Sequence, residues 1–185
     1  MDLALPEGVS LFPLKMHPDS RGILTEVYRE SWLGSIHPLQ WSVISSDRNV
    51  LRGVHVHRKH TDYLLHIRGS ALLALRDLRN GSPTEGLVSL LEATESKLEV
   101  ILIPPGVAHG IYFREPSTQI LAVTEYWNPA DEVGCHYADP ALKIPWPGNA
   151  PILSERDRGS PPLSEILDQI PPWRPSSPRV PRPGD

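Results

Sequence analysis

Segment 51–62 of the chain contains residues whose types and spacing could do chemistry. His55 and His57 are two residues apart, Asp62 follows them, and His109 lies far downstream in the motif PPGVAH. Side chains two residues apart on a β-strand point to the same face, so His55 and His57 would together face the interior of a β-barrel. A buried polar group without a partner destabilises a fold by roughly 1–3 kcal/mol. The pattern therefore indicates a site rather than ordinary packing.

One chemistry open to these residues is metal binding. His55, His57, Asp62 and His109 have a spacing that resembles the two motifs of metal-binding cupins, with an aspartate where a glutamate is usual. Neutral imidazoles and a carboxylate suit iron, manganese, nickel, zinc or copper. The alternative is a hydrogen-bonded network without an ion, because buried charges tend to be paired. The spacing allows both interpretations.

A second chemistry is general base catalysis by His55. A carboxylate that accepts a hydrogen bond from one imidazole nitrogen fixes the tautomer and makes the other nitrogen more basic. Asp157 is a candidate for that carboxylate. Arg21 and Arg52 are each followed by a glycine, which lets a ligand approach the backbone, and guanidinium groups suit phosphate oxygens. The alternative for each arginine is a surface ion pair.

The sequence predicts that short strands separated by turns position these residues. Turn residues such as Asn80-Gly81 and Pro104-Pro105-Gly106 separate the strands, and this spacing is typical of a sandwich or barrel. The predicted strands are Ile23 to Tyr28, Trp41 to Ile44, Val50 to His57, Tyr63 to Arg68, Ala71 to Leu78, Leu87 to Leu91, Val100 to Ile103, Val107 to Phe113 and Ile120 to Trp127.

A helical period occurs only late in the chain. Leu163, Ile166, Leu167 and Ile170 recur at the spacing of one helix face, which predicts a short C-terminal helix capping the barrel. We therefore expect an all-β fold, a single domain over residues 1–170. Residues 171–185 are proline-rich and predict an extended or disordered tail.

Composition limits the classes of partner. The chain has 185 residues, 18 Lys and Arg against 22 Asp and Glu, and a net charge of −4, which argues against nucleic-acid or anionic-membrane binding. Its single cysteine cannot form an intrachain disulfide, and its first residues lack the pattern of a signal peptide. No apolar stretch approaches the roughly 20 residues that span a bilayer. We therefore expect a cytoplasmic protein.

Several motifs occur in order along the chain: Asp19-Ser20-Arg21-Gly22 with Glu26, Asn49 to His55, Asp77-Leu78-Arg79 with Ser82-Pro83-Thr84, Ile103 to Gly110, Asp139-Pro140 with Ile144 to Pro147, and Leu153-Ser154 with Asp157. Together they resemble the dTDP-4-dehydrorhamnose 3,5-epimerase family, of which the chain would be a divergent member. The resemblance implies a cupin jelly roll, that is, a double-stranded β-helix. It also implies a homodimer that exchanges N-terminal strands, epimerisation of a dTDP-4-keto-6-deoxyhexose beside its ketone, and no required metal or other cofactor.

The resemblance assigns roles by position. His55 matches the family's general base, Asp157 matches the carboxylate paired with that base, and Trp127 stands where an aromatic side chain packs on the nucleotide base. The positions that match the family's substrate pocket are Arg21, Glu26, Gln40, Arg52 and His109.

Four positions depart from the family. Asp62 stands where the family has a lysine that supports the developing enolate, and Leu121 stands where it has an acidic tyrosine. His57 replaces a glutamine and Leu73 replaces a pocket aspartate. Losing one donor to the enolate oxygen typically lowers a rate by about 10²–10³. A metal ion held by the histidines and Asp62 would supply positive charge in place of the lysine.

Three hypotheses from different classes follow. The first is a nucleotide-sugar epimerase or isomerase, for which proton exchange into the sugar ring would be diagnostic. The second is a metal-dependent cupin enzyme acting on a small molecule, for which stoichiometric metal would be diagnostic. The third is a binding module that keeps the nucleotide-sugar pocket without turnover. The fold alone does not decide among them.

Overall fold

The computed structural model describes residues 3–148 and 150–175, and these fold into twelve strands with little helix. The strands are β1 Ser10–Pro13, β2 Met16–Asp19, β3 Gly22–Thr25, β4 Gln40–Ser46, β5 Leu51–His57, β6 Asp62–Arg68, β7 Ser70–Asp77, β8 Val88–Thr94, β9 Glu99–Ile103, β10 Val107–Phe113, β11 Ser117–Val123 and β12 Glu132–Gly134.

Ten of the strands form two antiparallel five-stranded sheets. The first has the order β1-β9-β6-β11-β4, and the second has the order β12-β5-β10-β7-β8. The two remaining strands, β2 and β3, pair with each other as a separate hairpin. Antiparallel sheets of this kind confirm the all-β expectation, and the shape of the sandwich is that of a jelly roll.

The interior between the sheets is apolar at one end. Leu73 and Leu75 of β7 pack there against Ile101 and Phe113 from β9 and β10. Because side chains alternate along a strand, neighbours of these residues face outward. The outward face of β5 packs through Val54 and Val56 into a cluster completed by the C-terminal segment.

The predicted C-terminal helix is wrong, because the segment forms short turns instead of one continuous helix. The chain instead makes one α-helical turn, α1, at Glu155–Arg158 and two successive 3-10 turns at Leu163–Glu165 and Leu167–Gln169. Two further 3-10 turns lie at Glu30–Trp32 and Pro140–Leu142. Prolines at 161 and 162 separate these turns from α1, and a segment as short as 163–170 gains little stability as an isolated α-helix. The apolar period nevertheless marks the buried side, since Leu163 and Ile166 pack beneath β5.

Each predicted strand overlaps a strand of the structure, although the first or last residue of most of them differs. The last of them is too long, since β11 ends at Val123 and Trp127 lies in the following loop. The sequence did not predict β1, β2 or β12. Residues 171–175, the first part of the predicted tail, have no regular secondary structure, and the Trp173 backbone N–H donates to the Asn80 carbonyl at 3.2 Å. Residues 176–185 of that tail lie outside the described residues. None of the described helices is long and apolar enough to cross a membrane.

Candidate active site

The second end of the sandwich interior is a cavity of ≈ 600 Å³ that opens to solvent. Its walls combine apolar side chains with titratable ones. The titratable and charged residues on its wall are Arg52, His55, His57, His60, Asp62, His109, Glu132, Arg156 and Asp157. A cavity of this volume with a few convergent polar groups is typical of a small-molecule site.

A β-bulge in strand β5 places Arg52 and His55 on the same wall. In a regular strand, residues three apart point to opposite faces. Here Arg52 pairs with Ile111 and His55 pairs with His109, so the pairing skips one residue of β5. Gly53 permits this close approach, because a Cβ at its φ of 125° would lie 2.7 Å from the Gly110 Cα. The bulge thus brings a cation and a candidate base into one cavity.

His55 and Asp157 form the hydrogen-bonded pair that the sequence predicted as a candidate. The His55 Nε2 and the Asp157 Oδ1 are 2.7 Å apart. Asp157 lies in α1, whose N-cap Ser154 accepts from the Asp157 backbone N–H at 3.0 Å. Residue Ile152 is tied to the start of β5, since its carbonyl accepts from the Leu51 N–H at 3.0 Å. These contacts hold the carboxylate beside the imidazole.

Glu132 stands on the opposite side of the same imidazole. The Glu132 Oε1 lies 3.3 Å from His55 Nδ1 and 2.7 Å from an Arg156 guanidinium nitrogen. Its other oxygen accepts from the indole N–H of Trp127 at 3.0 Å. Burial would raise the pKa of Glu132, but His55, Trp127 and Arg156 hold it below its usual value. His55 therefore lies between two carboxylates.

Burial would also raise the pKa of Asp157, but the hydrogen bond to His55 and the contacts with Ser154 and Arg156 lower it. Both flanking carboxylates are therefore ionised at neutral pH. When Nε2–H donates to Asp157, the lone pair of Nδ1 is the one that can accept a proton. An Nη of Arg156 also lies 2.9 Å from His55 Nε2, so two carboxylates and one cation surround the ring.

A second cluster surrounds Asp62, which is 1% exposed. The Asp62 Oδ2 lies 3.4 Å from His57 Nε2 and 3.2 Å from His109 Nε2, and its Oδ1 lies 3.3 Å from His60 Nε2. The Nδ1 of His60 makes a 3.2 Å hydrogen bond with Asp131 Oδ2. Three imidazoles thus surround one buried carboxylate.

The electrostatics of this cluster are dominated by burial and by Asp62. Burial lowers the pKa of His57 to about 3, against the opposing effect of Asp62, and burial also lowers the pKa of His109. Burial alone would lower the pKa of His60, but the Asp62 and Asp131 carboxylates raise it above its usual value. Burial would raise the pKa of Asp62, but the neighbouring imidazoles lower it. An ionised carboxylate therefore lies between His57 and His109, whose neutral forms burial favours, and His60, whose charged form the two carboxylates favour.

The structure brings together most of the residues that the sequence singled out. Arg52, His55, His57, Asp62, His109, Trp127 and Asp157 all line the cavity. Gln40 lies behind them, where its Oε1 accepts from the Trp127 backbone N–H at 2.9 Å. Arg21 and Glu26 lie elsewhere, on and just after the β2–β3 hairpin, where they pair with Asp19 and Arg29. They are not part of this chain's own cavity wall.

The predicted metal ligands separate into two groups. His57, Asp62 and His109 meet, as the sequence predicted. His55 belongs to the other group, because Asp157 and Glu132 face its two ring nitrogens. His60 takes the place expected for His55, and the sequence analysis missed it although it lies between His57 and Asp62.

Glu132 and Arg156 were also missed. Glu132 belongs to β12, whose three residues are too short to show a strand pattern. Arg156 lies in α1 next to Asp157, and this neighbour was the one sequence feature that could have identified Arg156 as a site residue.

The departures from the epimerase pattern are visible in the cavity. Among the described residues, its lining includes neither a lysine nor a tyrosine, and Leu121 lies in the wall. Tyr63 points away and donates from its hydroxyl to the Val27 carbonyl, and Tyr126 is an exposed side chain outside the cavity wall. Leu73 packs in the apolar interior. The acid–base groups of the described lining are therefore imidazoles and carboxylates.

Comparisons with known proteins agree with this architecture. A family model described as dTDP-4-dehydrorhamnose 3,5-epimerase matches residues 3–165. The dTDP-4-dehydrorhamnose 3,5-epimerase of Pseudomonas aeruginosa is 34% identical over 166 residues, which cover 84% of this chain and 91% of that protein. The protein of the same name from Neisseria gonorrhoeae is 31% identical over 165 residues, which cover 85% of this chain. The chain spans 50% of the length of the Neisseria protein.

A solved structure is also similar over nearly the whole fold. It is a crystal structure of a double mutant of ChmJ, a 3'-monoepimerase from Streptomyces bikiniensis, in complex with dTDP. Its TM-score is 0.83 at 26% sequence identity, and the match covers 94% of this chain and 93% of that one. The jelly roll expected from the sequence is therefore confirmed by a solved relative.

Proposed function

Because the chain belongs to the dTDP-4-dehydrorhamnose 3,5-epimerase family, we propose that it is an isomerase acting on a dTDP-4-keto-6-deoxyhexose. The reaction inverts one or both of the carbons C3 and C5, which flank the ketone. The observation that carries this proposal is the 2.7 Å pair of His55 and Asp157 on the wall of a nucleotide-sugar-sized cavity.

The geometry of His55 suits the chemical step. A hydrogen on a carbon beside a ketone is acidic because the electron pair left behind moves onto the ketone oxygen as an enolate. In this proposal His55 accepts that proton, while Asp157 orients the ring and stabilises the imidazolium. Delivery of a proton from a solvent water to the other face of the same carbon, followed by loss of the first proton from His55 to solvent, restores the ketone with inverted configuration.

The nucleotide end of the substrate suits the cavity mouth. Arg52 is held there by hydrogen bonds from its Nε to Ser46 Oγ at 2.9 Å and from an Nη to the Ser45 carbonyl at 3.3 Å. A guanidinium in a fixed position suits the oxygens of a pyrophosphate. The half-exposed indole of Trp127 offers a flat surface on which a thymine ring can stack.

The lost lysine and tyrosine favour a second candidate, a binding module. Asp62 and Leu121 occupy the positions where the family resemblance places these two groups, and neither can donate a hydrogen bond in the ionised or apolar state it has here. A chain that keeps the nucleotide site but lacks both donors would bind dTDP-sugars without turnover. A metal-dependent enzyme is the third candidate, and the histidine cluster around Asp62 favours it.

We also propose a homodimer in which the β2–β3 hairpin reaches the partner. Arg21 is at the tip of this hairpin, its side chain is 87% exposed, and it does not line the cavity of its own chain. Ile23 and Leu24 on the same hairpin are 66% and 64% exposed, which is unusual for apolar side chains in a monomer. Docking of the hairpin on a second copy would bury them and bring Arg21 and Glu26 toward its site. The cytoplasmic location expected from the sequence stays a prediction.

Deuterium exchange tests the proposed reaction. The protein would be incubated in D₂O with dTDP-4-keto-6-deoxyglucose, and the ring protons would be followed by ¹H NMR. We expect loss of the signal at C3, at C5 or at both, because each abstracted proton exchanges with solvent at the base. Tight dTDP binding without any exchange would reject the epimerase and support the binding module.

A further inference from the structure

We propose that His57, His60 and Asp62 bind one divalent first-row transition-metal ion, with His109 beside them as an additional donor. One ligand atom from each of the first three residues can be chosen so that all three lie within 4.8 Å of one another. All three residues are buried, and all three line the cavity. Two imidazoles and one carboxylate on a cavity wall form a set that leaves other coordination positions open.

The separations between the donor atoms fit a shared ion. Metal–nitrogen and metal–oxygen bonds of about 2.0–2.1 Å in tetrahedral geometry separate neighbouring donors by about 3.4 Å. The Asp62 oxygens lie 3.4 Å from His57 Nε2, 3.3 Å from His60 Nε2 and 3.2 Å from His109 Nε2. Charge-assisted hydrogen bonds from nitrogen to a carboxylate are shorter, about 2.7–2.9 Å. The cluster is therefore spaced for coordination.

The buried carboxylate of Asp62 makes no hydrogen bond within the described residues. Within residues 3–148 and 150–175, neither Asp62 oxygen has a hydrogen-bond partner, although both are fully buried. Nearly all buried polar groups in native proteins have such a partner, and the three imidazoles lie 3.2–3.4 Å away without completing a hydrogen bond. A cation among the imidazoles and the carboxylate would satisfy both Asp62 oxygens at once.

His60 has the outer contact expected of a metal ligand. Its Nδ1 makes a 3.2 Å hydrogen bond with Asp131, which is itself buried. A histidine that ligates a metal usually donates its second ring N–H to a carboxylate, which fixes the tautomer and directs the other nitrogen to the ion. Asp131 thus leaves the Nε2 of His60 free to coordinate.

The location gives such an ion a role that rests on the proposed function. His109 pairs with His55 across strands β10 and β5, so the cluster and the candidate base share one wall of the cavity. An ion there would place positive charge near a bound ketone oxygen. Asp62 stands where the resemblance places the lysine that supports the enolate, so the ion would take over the task of that lysine.

Metal binding is tested directly, with no need for activity. The protein, purified without a histidine tag and treated with a chelator, would be titrated with Zn²⁺ by calorimetry and with Co²⁺ by visible absorption. We expect one equivalent per chain, a Co²⁺ spectrum of nitrogen and oxygen ligation, and a metal-dependent rise in melting temperature, since an ion that binds only the folded state stabilises it.

Variants assign the ligands. Asp131→Asn removes only the outer partner of His60, so it should weaken Zn²⁺ affinity by about 10–100-fold. His60→Gln and Asp62→Asn each remove a ligand, so each should weaken Zn²⁺ affinity by more than that. His66→Gln is the matched control, because His66 is a buried histidine on the same strand as Asp62 but is not part of the cluster. It should bind Zn²⁺ like the wild type.

Two results would overturn the proposal. The first is a wild-type protein that binds no stoichiometric Zn²⁺ or Co²⁺, a result that does not depend on any variant folding. The second is binding that is equally tight in the wild type and in His60→Gln or Asp62→Asn. Deuterium exchange is measured separately. Metal binding without exchange would reject the epimerase but keep the metal site, and exchange without metal binding would reject the metal site but keep the epimerase.

Discussion

At the scale of single residues, the placement of His55 explains most about the proposed chemistry. Once it takes a proton, His55 is a cation between the carboxylates of Asp157 and Glu132. Arg156 contacts Glu132 at 2.7 Å and balances part of the negative charge when the imidazole is neutral. The proton on His55 is therefore attracted by two carboxylates and repelled by the Arg156 guanidinium, whose Nη lies 2.9 Å from His55 Nε2.

Asp157 is a positioning residue in this account, and Asp157→Asn tests that role. An amide keeps the size of the side chain but removes the charge that stabilises the imidazolium, so we expect proton exchange to slow by about 10²–10⁴-fold. The affinity for dTDP should stay near the wild-type value, because Asp157 does not hold the nucleotide. The rates would be measured by NMR in D₂O and the affinity by calorimetry.

Two further variants separate positioning from a merely structural role. Asp157→Glu should recover part of the lost rate, since it restores the carboxylate. Asp168→Asn, at an exposed position of the C-terminal segment, should leave the rate unchanged. An Asp157→Asn protein that is folded and exchanges protons at the wild-type rate would contradict the assignment.

Much of the site could be predicted from the sequence, because residue alternation in a strand is a local property. That rule put His55 and His57 on one face and Val54 and Val56 on the other, which the structure shows. Asp157 could be named only as a candidate, since 102 residues separate it from His55. Glu132 could not be found, because its position depends on the pairing of β12 with β5.

At the scale of elements, the bulge in β5 was the feature beyond the reach of sequence patterns. Arg52 and His55 are three residues apart, so a regular strand would have put them on opposite faces. Sequence patterns also could not decide the kind of helix in the C-terminal segment. Its apolar period correctly marks the buried side chains Leu163 and Ile166, but the choice between an α-helix and 3-10 turns depends on how the segment packs on Val54 and Val56.

The turn that joins β7 and β8 is held by a buried ion pair. Both oxygens of Asp77 accept from Arg79, at 2.8 Å each, and the hydroxyls of Ser82 and Thr84 donate to Asp77 at 2.6 Å each. Burial would raise the pKa of Asp77, but these partners hold it below its usual value. Arg79 also donates to the Glu7 carbonyl at 2.6 Å, which connects the turn to the N-terminal segment.

Asp77→Asn should destabilise the fold at neutral pH by about 3–5 kcal/mol, because it leaves the buried Arg79 without its charge partner. A carboxyl group with a lowered folded-state pKa contributes stability that is present above its unfolded pKa and is lost as the pH falls through the folded value. The difference between wild type and variant should therefore be largest near pH 7 and shrink below about pH 4. Urea unfolding at several pH values measures it.

Ser82→Ala is the matched control for this network. It removes one hydrogen bond to Asp77 but leaves the ion pair, so we expect a loss of about 1 kcal/mol with less dependence on pH. A difference between wild type and Asp77→Asn that is as large at pH 3 as at pH 7 would show that charge is not the cause.

At the scale of the whole molecule, the hairpin and the edge strand β4 both carry exposed apolar side chains. Ile23 and Leu24 of the hairpin and Trp41 and Val43 of the edge strand β4 are all exposed. An edge strand with apolar side chains is a surface that proteins usually cover, by pairing or by association. The proposed homodimer would cover it, and the sequence suggested this dimer only through the family resemblance.

Sedimentation velocity at micromolar concentration tests the dimer, and we expect a single dimeric species for the wild type. Ile23→Lys and Val43→Lys should shift it toward monomer, because a buried lysine in the interface is unfavourable. Leu167→Lys changes an apolar residue that is 45% exposed on the C-terminal segment and should remain dimeric. A wild-type monomer would contradict the proposed exchange of hairpins.

The central claim is that His55 removes a proton beside the ketone of a bound nucleotide sugar. Its most direct test is the rate of deuterium uptake at C3 and C5 of dTDP-4-keto-6-deoxyglucose in the wild type, in His55→Gln and in a control variant. The control is His136→Gln, because His136 is not among the residues that line the cavity, and dTDP affinity is measured for each protein. We predict uptake in the wild type and the control, a rate about 10²–10⁴-fold lower in His55→Gln, and similar dTDP binding in all three. Uptake at the wild-type rate in a folded His55→Gln protein would contradict the account.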